Sequence, residues 1–402
     1  MLRVADAVAA VAANARLLPT ESVALDAANG RVLRETICAE REQPPFDRVM
    51  MDGIALNANA TPQAALRCLG TVFAGDEPRL SLPDAASCLE VMTGAVLPAG
   101  ADCVVPVEQL SRDGQMVTVA ADAVVEAGRF VHAAGSDHAQ GATLLEPGSR
   151  IGMTETAVIA SAGYATFLAS RLAKVTVIAT GDELVPAGAA VDAHQIRLSN
   201  GPALVSAALS TGLATARHLH CPDSQDQLTA VLSESLAGDD IVILSGGVSR
   251  GKADYVPDVL ANLGVEKVFH RVAQKPGKPL WFGRTATSTV FGLPGNPVST
   301  LVTFQRYVAP FLAACAGLAP PPPPQVVVAE PVTRLAQLSR FVPVTLQNRD
   351  GTVLATPVAF NTSGDFAALA RTAGIIEVAP GDDTMASGTP CAFFGWRPAN
   401  LD

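Results

Sequence analysis

The sequence predicts a multidomain α/β protein: a central βαβ domain built on a parallel sheet, an inserted β-rich domain, and a C-terminal β-rich domain. Three observations predict it. Apolar runs alternate with helical patterns from Lys174 to Leu244, short Val-rich runs broken by Gly and Pro fill the stretch from Pro44 to about Gly135, and an unbroken proline run, Pro320 to Pro324, sets off a last segment. With 402 residues, 49% hydrophobic and only 16% charged, the chain has enough apolar mass for several cores and is not a disordered polyelectrolyte.

Taken in order, residues 1 to 17 place Leu2, Ala5, Val8, Ala9 and Ala12 at helical spacing, which predicts an amphipathic helix ending near Pro19. Short apolar runs around the turn signal Asn29-Gly30 follow. After the β-rich stretch the pattern predicts a helix around Thr154 to Ala162. Val175 to Ala179 reads as a buried strand. Asn200 to Thr211 then reads as a helix, Thr215 to His220 as a strand, Ser224 to Leu236 as a helix and Ile241 to Leu244 as a strand. That alternation implies a parallel sheet with ligands beyond the carboxyl ends of its strands. After the prolines, Val326 to Val328, Val342 to Leu346, Val353 to Pro357 and Ile375 to Val378 read as strands around a helix near Asp365 to Thr372. The division expected is a linking domain of residues 1–40 and 136–171 with the N-terminal helix, an inserted domain of 41–135, an α/β domain of 172–319 and a terminal domain of 320–402.

The formal net charge of -10 supplies no positive excess with which to neutralise a phosphate backbone, which argues against a nucleic-acid partner. Seven scattered cysteines without a Cys-x-x-Cys pair argue against a disulfide framework or a zinc ribbon. No apolar stretch is long enough for a bilayer, and the N-terminus lacks the apolar core of a signal peptide, so no membrane and a cytoplasmic setting are expected. Small-molecule chemistry is the leading class.

Four loops carry the candidate chemistry. Ser245-Gly246-Gly247-Val248-Ser249-Arg250-Gly251 follows a strand directly; its glycines admit backbone N–H groups close to an anion, and a plain strand-to-helix turn is the other reading. It lacks the spacing of a Walker A loop. Asp254, beside it, is either a bridge to magnesium next to a phosphate or a helix N-terminal carboxylate. Asp223 is either a second metal ligand or an N-cap. Lys275-Pro276-Gly277-Lys278-Pro279 holds two ammonium groups on a stiffened chain, and Gly292-Leu293-Pro294-Gly295-Asn296-Pro297 adds another backbone-rich turn. His218, His220 and Cys221 read as packing rather than as a zinc site, since no spaced fourth ligand accompanies them.

These loops, with Pro44-Pro-Phe-Asp-Arg-Val-Met-Met-Asp-Gly-Ile-Ala55, Met92-Thr-Gly-Ala-Val-Leu-Pro-Ala-Gly100-Ala-Asp102, Gly135-Ser-Asp137 and Ala179-Thr-Gly-Asp-Glu-Leu184, resemble the molybdopterin molybdenumtransferases of the MoeA type, similar to the E domain of gephyrin. The ordered motifs cover nearly the whole chain. The resemblance implies an elongated homodimer of four-domain subunits with a central molybdopterin-binding domain. It implies that molybdenum from molybdate is inserted into adenylylated molybdopterin with magnesium (Mg2+), releasing AMP and forming molybdenum cofactor. Molybdopterin adenylyltransferase and apo-molybdoenzymes are its implied partners.

Carried over by motif, Asp223 and Asp254 would handle magnesium, and Glu183 and Asp137 would shape the reaction site. Asp52 and Thr93 would face the cleft from the partner subunit. Ser245, Gly246, Gly247, Ser249, Pro294, Gly295 and Asn296 would cradle substrate, Lys275 and Lys278 would hold its anionic groups, and Arg340 and Ser363 would bind molybdate. Where the family reads Phe-Asp-Asn-Ser-Ala-Met-Asp-Gly-Tyr-Ala, this chain has Arg48-Val49-Met50 in the middle and Ile54 for the aromatic. That departure keeps in view a weakened paralogue serving as a molybdopterin-binding scaffold, and the Ser245 to Asp254 loop, which the resemblance implies is shared with the molybdopterin adenylyltransferases, keeps in view an enzyme of that kind, for which the inserted and terminal domains would be superfluous.

Overall fold

The computed structural model describes residues 1–60, 64–247, 255–319, 321–359, 362 and 364–397. Packing divides the chain into two compact units. One comprises Met1–Arg34, Pro147–Gly152 and Phe167–Asp402; the other comprises Glu35–Glu146 and Met153–Thr166.

The larger unit is built on a six-stranded sheet in the order Ala214–Cys221, Ala173–Thr180, Ile241–Ser245, Thr289–Leu293, Trp281–Arg284, Glu266–His270. The first four strands run parallel. Because successive strand residues point to opposite faces, Val175, Val177, Ile241 and Ile243 enter one core and Ile178, Val242 and Leu244 enter another. The first core is covered by the helices Asn200–Ser210, Pro297–Thr303 and Ala309–Ala316, through Leu204, Ala208, Val298, Val302 and Leu312. The helices Gln225–Gly238 and Val256–Asn262 cover the second, through Leu228, Leu232, Val259 and Leu260. Helices on both faces bury the central strands Ala173–Thr180, Ile241–Ser245 and Thr289–Leu293 almost completely, which is why these read as apolar runs, whereas the edge strands Ala214–Cys221 and Glu266–His270 are largely exposed.

The wholly parallel sheet expected from the alternation is corrected at one edge. Trp281–Arg284 runs antiparallel to both Thr289–Leu293 and Glu266–His270. The turn Thr285–Ser288, closed by Thr285 N–H to the Ser288 carbonyl at 2.8 Å, is too short for a crossover, so its two strands must be antiparallel. The N-terminal helix spans Val4–Ala13 and packs into the first core through Val4, Ala7 and Val11. Ala5, Ala9 and Ala12, expected on its apolar face, are exposed.

The last sheet of this unit pairs Gln274–Lys275, Ser339–Arg349, Thr352–Pro357, Gln325–Val328, Pro390–Gly395 and Gly374–Val378 in that order. A further pairing of Gly374–Val378 with Ser339–Arg349 closes the ring into a small barrel. Val342, Val344, Ile376 and Phe393 fill its interior, while Phe341 and Ile375, one residue out of phase, join the core of the central sheet. The helix expected near Asp365 to Thr372 is a short 3-10 turn, Ala367–Arg371.

The smaller unit holds a six-stranded sheet ordered Cys103–Pro106, Gly53–Leu56, Ser87–Val91, Leu66–Val72, Met116–Val119, Leu110–Asp113. Ile54, Leu56, Cys103 and Val105 face one core and Ala55, Val91 and Val104 the other. Gly53 has no substitute here, because a Cβ at that position would lie 1.9 Å from the Val105 carbonyl oxygen. All seven cysteines are free thiols. Among the described residues no helix is long and apolar enough to cross a membrane.

Candidate active site

A cavity of about 770 Å3 opens at the carboxyl ends of the parallel strands. Glu183, Asp223, Ser245-Gly246-Gly247 and Pro294-Gly295-Asn296 line it, as do Gly364 and Phe366 from the loop beside the barrel. Gly246 and Gly247 have φ of 101° and 67°, and a Cβ on Gly247 would lie 2.6 Å from Val256 Cγ2, so the turn needs both left-handed backbone and a bare Cα.

Asn200, at the start of its helix, binds the two backbone-rich turns together. Its Nδ2 donates to Ser245 Oγ at 2.9 Å and to the Gly295 carbonyl at 2.7 Å. Thr300 Oγ donates to the Pro294 carbonyl, completing the brace on the second turn. Ser245 itself is buried, with its hydroxyl already engaged by Asn200. It therefore serves the shape of the turn as well as any ligand.

The carboxylates at this edge are separately supported. Asp182 Oδ1 accepts from Asp223 N–H at 3.0 Å, and Glu183 lies over Gly181, where a Cβ would sit 2.5 Å from its carboxylate. Ser224, not Asp223, caps the following helix, its Oγ accepting from Gln227 N–H. The N-cap reading of Asp223 is thereby removed. The packing reading of this strand holds for Cys221, which is buried, but not for His218 and His220, which are exposed; His220 Nε2 donates to the Gly181 carbonyl at 2.8 Å. Among the described residues no group of three His, Cys, Asp or Glu side chains is placed to hold a metal. Ser249, Asp254 and Ser363 lie outside the described residues.

The lysine loop is anchored from beneath. Gln274 is fully buried; its Oε1 accepts from the Tyr307 hydroxyl and its Nε2 donates to the Gly277 carbonyl at 3.0 Å. Burial pushes the Tyr307 phenol above its ordinary value, which keeps it a donor. Val272 N–H closes the loop onto the Lys278 carbonyl at 3.0 Å. Lys275 and Lys278 are left exposed, and Pro279 at the end of the loop lines the cavity. Gln274–Lys275 also pairs with the barrel strand, which sets Lys275 opposite Arg340. Arg340 Nη1 donates to the Thr333 carbonyl at 2.8 Å.

In the smaller unit, Asp52 Oδ1 accepts from both the N–H and the hydroxyl of Thr93, each at 2.7 Å. These bonds, the hydroxyl's above all, hold the Asp52 carboxyl below its ordinary range. The unusual Arg48-Val49-Met50 segment takes no part in them. Val49 enters the core, Met50 is exposed, and Arg48 reaches His132, which in turn reaches Asp137. Asn200, Thr300, Gln274 and Tyr307 were not legible as site residues: the partners of Asn200 at Ser245 and Gly295, and the pairing of Tyr307 with Gln274, are distant in sequence, and the local contacts of Thr300 with Pro294 and of Gln274 with Gly277 follow no motif.

Residues 2–163 match the MoeA N-terminal region (domain I and II), residues 176–314 the probable molybdopterin binding domain, and residues 325–394 the MoeA C-terminal region (domain IV). The chain is 36% identical over 401 residues to the molybdopterin molybdenumtransferase of Synechocystis sp., covering 98% of this chain and 100% of that one. With its Bacillus subtilis counterpart the identity is 30% over 380 residues, covering 92% and 88%. A solved structure of the molybdopterin biosynthesis MoeA protein of Pyrococcus horikoshii matches with a TM-score of 0.83 and 28% identity, covering 99% of this chain and 100% of that chain. Likeness of this extent takes in both the amide-lined sheet edge and the Asp52 segment, and the chain accordingly belongs to the molybdopterin molybdenumtransferases, a transferase family of molybdenum cofactor biosynthesis.

Proposed function

We propose that the protein inserts molybdenum from molybdate into adenylylated molybdopterin, releasing AMP. The observation that carries this reading is the sheet-edge cavity, where two backbone-rich turns braced by Asn200 meet Pro279, the end of the loop whose exposed Lys275 and Lys278 lie beside the lining rather than in it. Amides and ammonium groups suit phosphate and oxyanion substrates. Lys275, Lys278 and Arg340 bind the anionic groups, with Ser363 assisting at molybdate and Ser249 at the pterin nucleotide. Glu183 and Asp137 orient the reacting groups, and Asp52 is kept ionised by Thr93. The working assembly is a homodimer.

Magnesium belongs to this reading as an ion shared with substrate. Asp223 offers a hard carboxylate at the cavity, and Asp254 is its proposed companion. One or two carboxylates completed by phosphate oxygens and water are a normal magnesium shell, whereas an all-protein cage is not needed. When bound, the ion would neutralise phosphate charge as AMP departs.

That Asp52 keeps both bonds from Thr93 although residues 48–50 depart from the family sequence supports an active enzyme over a weakened scaffold; the Val49 backbone still holds the Thr93 turn, accepting from Gly94 N–H at 2.9 Å and donating to the Ala95 carbonyl at 3.0 Å. A single-turnover assay of AMP release from adenylylated molybdopterin decides the matter. The expected result is release that depends on molybdate and magnesium, lowered by orders of magnitude in Asp254→Asn. Tight pterin binding without AMP release would instead indicate a scaffold, and ATP consumption with bare molybdopterin an adenylyltransferase.

A further inference from the structure

We infer that Arg48 and His132 are positioning residues that together aim the Asp137 carboxylate. The inference rests on the proposed role of Asp137 and begins with the backbone. Arg48–Val49 and Val131–His132 form an antiparallel pair with Arg48 directly opposite His132 and Val49 opposite Val131. Val49 is buried at 1% exposure and Val131 packs against the same core, so the alternation of a strand puts Arg48 and His132 together on the other face. The contact thus follows from register, not from a chance rotamer.

The chemistry of the chain is directional. Arg48 Nη2 lies 2.9 Å from His132 Nδ1, and His132 Nε2 lies 2.9 Å from Asp137 Oδ1. A guanidinium only donates, so Nδ1 must accept and carry no proton. Nε2 then bears the hydrogen and donates it to the carboxylate. One neutral tautomer alone satisfies both bonds, and Arg48 selects it. The Asp137 carboxylate therefore receives a hydrogen bond of fixed direction.

Backbone contacts explain why the side chain needs this help. Asp137 N–H donates to the Gln43 carbonyl at 2.8 Å, Gly135 N–H to the Pro44 carbonyl at 2.9 Å, and Ala134 N–H to Asp47 Oδ1 at 2.8 Å. The loop is fastened along residues 43–47, but the Asp137 side chain is 48% exposed and is otherwise free to rotate. His132, only 28% exposed, is the better-held partner. Partly exposed hydrogen bonds of this kind add little net stability, so the effect belongs to rate. The segment that departs from the family sequence at Arg48 thereby acquires a task in this chain.

The test has an arm independent of turnover. Nitrogen-15 NMR of the histidine side chains, with the His132 signals assigned by their loss in His132→Gln, is expected to show the Nε2–H tautomer, and Arg48→Met to shift it toward a mixture. In single-turnover AMP release, His132→Ala is expected to lower the rate about tenfold or more with little change in KM, the scale seen when an outer-shell partner is lost. His132→Gln, whose amide can accept from Arg48 and donate to Asp137, should restore most of the rate. In an Asp137→Asn background His132→Ala should cost nothing further. An Nδ1–H tautomer, or losses that simply multiply in the double variant, would overturn the inference. If no AMP were released by the unaltered protein, the functional reading would fall while the tautomer result stood on its own.

Discussion

Lys275 and Arg340 are register partners across the parallel pairing of Gln274–Lys275 with the barrel strand Ser339–Arg349. Their neighbours Gln274 and Ser339 are buried, so the two cations share the opposite face. Like charges directly opposite each other oppose folding, and an anion between them reverses the sign.

Arg340→Ala should therefore raise the molybdate concentration needed for half-maximal AMP release by about tenfold, the equivalent of about 1.4 kcal/mol. It should leave the anion-free protein no less stable. Thermal melts with and without molybdate check this: stabilisation by the oxyanion should shrink in the variant. Equal stabilisation in both proteins would remove Arg340 from the site.

Tyr307→Phe deprives buried Gln274 Oε1 of its donor and should cost about 1–3 kcal/mol. The pH dependence has a definite sign. Because burial raises the phenol in the folded state, its contribution is complete below the unfolded value near 10 and is lost as pH rises beyond it. Urea midpoints should fall above about pH 10 more steeply in the parent than in Tyr307→Phe; parallel curves would show that another group governs the alkaline limb.

Thr93→Val removes the hydroxyl that contributes most to lowering the Asp52 carboxyl. The Asp52 value should climb toward the ordinary carboxylate range in a carbon-13 NMR titration. Since the folded value is depressed, whatever this group contributes is present at neutral pH and disappears as pH falls through that value. The acid limb of activity should accordingly move to higher pH in the variant.

Asn200→Ala leaves Ser245 Oγ and the Gly295 carbonyl without their shared donor. We expect at least tenfold weaker binding of the pterin nucleotide, about 1.4 kcal/mol, by equilibrium titration. Asn200→Asp should be worse than Ala, because a carboxylate would face a carbonyl oxygen. Unaltered affinity in both variants would mean that the two turns hold their shape without the brace.

By itself the sequence determined the strand–helix alternation from Ala173 to Ser245, because the central strands Ala173–Thr180 and Ile241–Ser245, buried on both faces, need continuous apolar runs and leave little ambiguity. It also marked the loops proposed to carry the chemistry: glycines at 246 and 247 and lysines at 275 and 278 are legible as residue types wherever they lie. Tertiary structure alone decided what those residues meet. The Ala-rich N-terminal helix carries too little contrast around its circumference to choose a buried face, so packing chose Val4, Ala7 and Val11. The edge strand Trp281–Arg284 turned antiparallel because of one short turn. Asn200 to Gly295, Tyr307 to Gln274, Lys275 to Arg340 and Arg48 to His132 are contacts between segments far apart in the chain. A hydrogen bond of that kind has no period and no local motif, and it exists only once burial and register have fixed both ends.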